Sequence, residues 1–190
     1  MSYEEFLKWD GQNQHVEWVD GEVIAMPPIS GAHNDVGNYL IRLFGEFLDH
    51  SNIGVIKTDP FQMKASPDLP GRAPDILFVA RRNLRRLHET YLQGPADLVV
   101  EIISPGSQTL DRVTKFSEYQ RGGVREYWLI DPARRTAEVY RRGRDGRFRP
   151  VAVGEYGIFR SVAMKGLWVK VDWLWDRPPI EEVRQEWGIV

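Results

Sequence analysis

Asp97-Leu98-Val99-Val100-Glu101-Ile102-Ile103-Ser104-Pro105 decides how this chain is read. Leu98 to Ile103 is an apolar run of the kind a sheet buries on both faces, interrupted once, by Glu101. A carboxylate in that place is costly unless it is protonated, paired, hydrogen-bonded or bound to a metal. On the strand alone two readings stay open, a functional carboxylate or a buried pair with an arginine. Toward the N-terminus, Asp75 follows Pro74 and opens a second apolar run, Ile76-Leu77-Phe78-Val79-Ala80. Asp after Pro is commonly only a turn. Set across adjacent strands, however, Asp75 and Glu101 place two hard oxygen ligands side by side, the arrangement that suits Mg²⁺ or Mn²⁺ with waters and a phosphate completing the octahedron.

Toward the C-terminus, the spacing predicts a helix from Thr109 to Arg121 that stops at Gly122-Gly123, where glycine supplies a left-handed exit. At about 100° per residue, Asp111, Lys115 and Glu118 share one arc with Tyr119 at its side, and Leu110, Val113, Phe116 and Ser117 occupy another. Lys115 therefore faces a polar side. It is either half of an ordinary i,i+4 pair with Asp111 on a solvated face, or an ammonium placed over a metal site, where it can assist an attacking water or developing charge.

Further out, Ser2 and Glu5 have capping-box spacing ahead of a short helix. Asp20-Gly21 between Val16–Val19 and Glu22–Met26 is a tight-hairpin signature. Val36, Tyr39, Leu40, Leu43, Phe44, Phe47 and Leu48 mark an amphipathic helix from near Ser30 to His50. Strand-like runs at 53–56, 61–64, 76–80 and 98–103 are expected to form one sheet, followed by strands at 126–130, 136–142 and 147–151. The C-terminal stretch with Trp168, Trp173 and Trp175 reads as a strand and short helices closing the core. Without strict βαβ alternation, the fold class is α/β in the mixed α+β sense, as a single domain over residues 1–190.

Composition narrows the function classes. At 42% hydrophobic and 27% charged residues the chain is a folded globular one, and with no cysteine it has no disulfide, thiol nucleophile or zinc ribbon. No apolar run approaches a membrane span and the first residues lack a secretory pattern, so a cytoplasmic location without membrane contact is expected. The formal net charge of −2 conceals an asymmetry. Residues 1–70 hold 4 Lys/Arg against 11 Asp/Glu, whereas residues 71–149 hold 16 against 10. Arg81, Arg82, Arg85 and Arg86, and later Arg141, Arg142, Arg144, Arg147 and Arg149, either track a phosphate backbone or simply solvate a surface. Phosphate-loop, dinucleotide, nucleophile-elbow and zinc-protease motifs are absent from the sequence.

Taken in order, Pro74-Asp75, the stretch from Asp97 to Pro105, then Asp111, Lys115 and Tyr119, then Gly123-Val124-Arg125-Glu126-Tyr127-Trp128-Leu129-Ile130-Asp131-Pro132 resemble the restriction-endonuclease family called Uma-two, within the PD-(D/E)XK nuclease superfamily. Val19-Asp20-Gly21-Glu22 and His33 extend the likeness over nearly the whole chain. The resemblance implies a restriction-endonuclease-like core, a mixed sheet flanked by helices, with an added N-terminal hairpin and C-terminal strands. It implies a Mg²⁺-dependent DNA endonuclease in which Asp75 and Glu101 are metal ligands, joined by the main-chain carbonyl of Ile102. The superfamily's usual lysine place, two residues after the acid, holds Ile103 here. Lys115 on the neighbouring helix is the substitute, with Asp111 and Tyr119 orienting it. His33 and Glu22 are supporting candidates, the first as a further ligand and the second as part of an acidic cluster. A homodimer is the default for nucleases that cut two strands. The rival expectation, favoured by Ile103, is a nuclease-fold binding or assembly module without turnover.

Overall fold

The computed structural model describes residues 1–12, 14–152 and 157–189. Its first elements are α1 (Tyr3–Phe6), β1 (Val16–Val19), β2 (Glu22–Ala25), α2 (Gly31–Ser51), β3 (Gly54–Thr58) and β4 (Gln62–Lys64). β5 (Gly71–Arg72), β6 (Ile76–Ala80), β7 (Tyr91–Gln93) and β8 (Leu98–Ile102) follow. After them come α3 (Phe116–Gly122), β9 (Glu126–Asp131), β10 (Thr136–Arg142) and β11 (Phe148–Pro150). The chain closes with β12 (Ile158–Arg160), β13 (Trp168–Lys170), α4 (Trp173–Asp176) and α5 (Ile180–Trp187).

Local chemistry sets the boundaries. Asp20 and Gly21 both have positive φ, 50° and 93°, the two-residue turn whose twist matches the flanking strands β1 and β2. Ser30 caps α2 by accepting a hydrogen bond from the His33 amide at 3.1 Å, and Asn52 ends it in the left-handed conformation.

The central sheet has the order β11-β10-β9-β8-β6-β3. Only β8 and β9 run parallel, and the crossover between them carries α3. Alternation along β8 divides its side chains between two cores. Leu98, Val100 and Ile102 join Ile76 and Phe78 beneath Leu40, Leu43 and Phe44 of α2. Val99 and Ile103 join Leu77, Val79, Tyr119 and Tyr127 on the opposite face. Each large apolar side chain so buried contributes about 1.5–3 kcal/mol, so both faces of the sheet are anchored. Glu101 shares parity with Val99 and therefore faces α3.

A second sheet, ordered β2-β1-β5-β4-β7, holds the 62–64 run. That corrects the expectation of one sheet for all four early runs. Pro60 cannot donate to a ladder, and beyond it the chain pairs with β5 and β7 instead of continuing the edge of β3. Trp168, Trp173 and Leu174 close the α2 side, as the C-terminal pattern suggests. No helix among the described residues is long and apolar enough to cross a membrane.

Candidate active site

The end of β8 and the start of β6 meet at one edge of the two cores. Asp75 sits just before β6, and its Oδ2 accepts a hydrogen bond from the Ile102 amide at 2.6 Å. His33, in the first turn of α2, brings Nε2 to 3.2 Å from the same oxygen. Glu101 is only 3% exposed. Its Oε1 accepts a hydrogen bond from the Tyr119 hydroxyl and lies 3.1 Å from Lys115 Nζ. These contacts fall on Oδ2 of Asp75 and Oε1 of Glu101.

The segment that delivers Lys115 is not a plain α-helix. Residues Leu110–Lys115 form a π-helical turn before α3, a local widening found often at functional sites. Its burial inverts the usual apolar-inside pattern of an amphipathic helix. Val113 is 62% exposed, whereas Asp111, Lys115 and Tyr119 are buried, so the solvated-face reading of the Asp111–Lys115 pair is corrected. The inversion is tolerated because each polar group finds a partner: Asp111 Oδ1 lies 3.6 Å from Lys115 and its Oδ2 accepts from Ser107 at 2.6 Å.

The third acid against the ammonium is one that the hairpin pattern hides. Glu17 on β1 is fully buried, with Oε1 3.1 Å from Lys115 Nζ and Oε2 2.6 Å from Arg72 Nη1. Arg72, on β5, also grips Glu118 with two hydrogen bonds of 2.7 Å. Strand alternation with Val16 and Trp18 assigns Glu17 to the solvent face, so sequence carries no direct signal for it. Glu22, the acid singled out from that hairpin, is exposed on β2 and lines neither the cavity nor the groove beside it.

Five carboxylates, of Glu17, Asp75, Glu101, Asp111 and Glu118, thus share two cations, Lys115 and Arg72. Burial holds the Glu101 carboxyl well above the usual carboxylate range despite the adjacent Lys115, and burial likewise raises Asp111. For Lys115, burial favours the neutral amine, but Glu101, Glu17, Asp111 and Asp75 together outweigh it and hold the ammonium charged. Glu17 goes the other way: burial opposes its charge, and Lys115 and Arg72 overcome it and lower its pKa.

Asp75, Glu101, Ile102, His33, Ser104 and Lys115 border a cavity of about 30 Å³, room for an ion or a few waters. It adjoins a groove of about 410 Å³ that runs past Asn34, Asn38, Thr58 and Asp59. His15, unassigned in the sequence, reaches the rim and contacts Asp59 at 2.8 Å. The excess of acid and the orphaned, buried Ser104 Oγ beside the cavity fit a hard cation. Among the described residues no three His, Asp or Glu side chains converge as a complete ligand set.

Residues 3–172 match the model of the family Uma2, described as "Putative restriction endonuclease". The chain belongs to the Uma2 family. A Synechocystis protein described only as uncharacterized is 26% identical over 148 residues, 77% of this chain and 76% of its own length. A solved structure from Anabaena variabilis, described as "a putative nuclease", superposes with a TM-score of 0.73 at 18% identity, covering 93% of this chain and 98% of that one. The likeness to the Anabaena protein is one of fold. The Uma2 match spans every residue of the acidic cluster, from Glu17 to Glu118, and stops before α5.

The arginines lie elsewhere. Phe78, Leu98, Glu126 and Arg141 form one cross-strand row at the end of the sheet away from Asp75. Arg81, Arg82, Arg85 and Arg86 follow β6 at that end, about 15 Å from the acids at strand rise. Arg82 pairs there with Asp97 at 2.7 Å. None of the four borders the cavity or its groove.

Proposed function

We propose that this Uma2 chain is a divalent-cation-dependent nuclease that hydrolyses phosphodiester bonds in DNA. The observation that carries the proposal is the meeting of Asp75, Glu101 and Lys115 on one small cavity that opens into a groove. Asp75 and Glu101 would hold Mg²⁺ or Mn²⁺, with the Ile102 carbonyl as a further donor. Bound there, the ion supplies Lewis-acid polarisation of the scissile phosphate and acidifies water at the site.

The chain's own residues do the rest. Tyr119 fixes Glu101 through its hydroxyl, and the Ile102 amide and His33 fix Asp75. Lys115 carries an ammonium beside Glu101, placed to orient the attacking water or to offset charge that develops on the phosphoryl oxygens. Asp111 and Ser107 hold the π-helical turn that presents it. Asn34, Asn38 and Thr58 offer uncharged hydrogen-bonding groups along the groove. The arginines 81, 82, 85 and 86, at the other end of the sheet, would touch phosphates remote from the cut.

Calorimetric titration with Mn²⁺ and cleavage of plasmid DNA test the proposal together. Wild-type protein should bind the ion and nick the plasmid, and Asp75→Asn and Glu101→Gln should lose both. Undiminished cleavage by both variants overturns it. The second reading, a nuclease fold that binds without cutting, draws on Ile103 at the usual lysine place and on the three carboxylates around Lys115. Ion binding through Asp75 and Glu101 without cleavage of duplex or single-stranded DNA is the result that favours it.

A further inference from the structure

Lys115 Nζ stands 3.1 Å from Glu101 Oε1 and 3.1 Å from Glu17 Oε1, shared evenly between an acid of the central sheet and an acid of the second sheet. The two acids are held differently. Glu101 borders the cavity, while Glu17 does not. Glu17 is pinned from behind, its Oε2 on Arg72 and Arg72 in turn on both oxygens of Glu118. Arg72 already has a full bidentate partner in Glu118, so Glu17 is not needed to neutralise it. The other oxygen of Glu17, Oε1, is left to the ammonium and to the Ala73 amide at 3.4 Å.

An ammonium and a divalent cation on the same carboxylate repel, strongly so in a water-poor pocket. An ammonium bound only to Glu101 would therefore compete with the ion. We infer that Glu17 is a positioning residue that keeps Lys115 at the edge of the cavity when a divalent cation takes Glu101, and so sets the affinity of the site for that cation. The inference rests on the reading of Asp75 and Glu101 as cation ligands. It assigns the second sheet a task in the site, since β1 and β5 supply the pinned counter-charge.

Titration calorimetry with MnCl₂ on wild type, Glu17→Gln, Lys115→Met and the double variant tests it. Glu17→Gln keeps an oxygen for Arg72 and removes the charge facing Lys115. It should weaken Mn²⁺ binding about tenfold, and in the Lys115→Met background the same change should have an effect of less than about twofold. Wild-type affinity in Glu17→Gln overturns the inference, as does an equal loss in both backgrounds, which would mean a diffuse field and no role through Lys115. Should Glu17→Gln fail to fold, Glu17→Asp serves: it keeps the charge between Arg72 and Lys115 but withdraws the carboxylate by about 1.5 Å. A two- to fivefold weakening, roughly, is then expected, and unchanged affinity overturns the idea. A wild type that binds no Mn²⁺, or binds it equally in Glu101→Gln, overturns the parent reading as well. Loss in Glu101→Gln with full binding in Glu17→Gln sinks only the role of Glu17.

Discussion

At one end of the central sheet, Asp75, Glu101 and Asp111 crowd with Glu17 around a single buried ammonium. At the other, Arg81, Arg82, Arg85, Arg125, Arg144, Arg147 and Arg149 stand in water, where Asp97 pairs with Arg82 and Asp145 with Arg149. Both ends are charged, yet the physics differs. Buried charges cannot be screened, so each member of the acidic cluster depends on its neighbours and an unmet charge favours an added cation. Exposed arginines are screened by salt and act additively, as a field and not as a geometry. Charge counted along the chain does not tell these situations apart.

The largest effect that could break this contrast is removal of a ligand. Glu101→Gln should reduce Mn²⁺-dependent cleavage by about a hundredfold or more, measured as initial rate of plasmid nicking, while far-ultraviolet dichroism stays native. Next in size is a stability effect at the acidic end. Arg72→Leu leaves the half-buried Glu118 without a counter-charge and the buried Glu17 with Lys115 alone, and should cost about 3–5 kcal/mol in equilibrium denaturation. A destabilisation under about 1 kcal/mol would mean that the cluster is wetter than its burial indicates.

The pH dependence sharpens the contrast with a smaller effect. Burial raises Glu101 and Asp111 in the folded state, so the folded protein binds more protons than the unfolded one above the ordinary carboxylate range. Their contribution is complete below the unfolded pKa and is lost as pH rises. Metal-free protein should therefore melt at lower temperature at about pH 8 than at about pH 5, and Glu101→Gln should flatten that slope. Glu17, lowered by its cations, opposes the trend only where pH falls through the acid range. A melting temperature that climbs between those two pH values refutes the proton-rich cluster. The smallest effect belongs to the arginine end. Arg81→Ala with Arg85→Ala should leave the unfolding midpoint unchanged and, if these arginines hold remote phosphates, lower the salt slope of DNA binding by roughly one unit for each phosphate released.

Much of this was legible beforehand because it is local. The Asp-Gly hairpin, the capped amphipathic helix and the apolar strands 76–80 and 98–102 stand where turn chemistry and periodicity put them. The meeting of Asp75, just ahead of β6, with Glu101 on β8 is not local, because it depends on the pairing of β6 with β8. The helix face was a different matter. Periodicity separates the arcs of residues 110–119 but does not say which is inside, and the choice of the polar arc depends on acids that arrive from β1 and β8.

Sequence by itself determined the secondary elements, the two odd carboxylates and the Uma2 likeness, because each is written in neighbouring residues or in an ordered set of short motifs. Tertiary structure decided that Glu17 and Arg72 enter the site, that the polar arc with Lys115 is the buried one while Val113 faces water, and that the arginines stand a sheet's length from the acids. The reason is that burial of a charge is a property of everything packed around it, and two sheets that close over one another supply partners that no periodicity within either can announce.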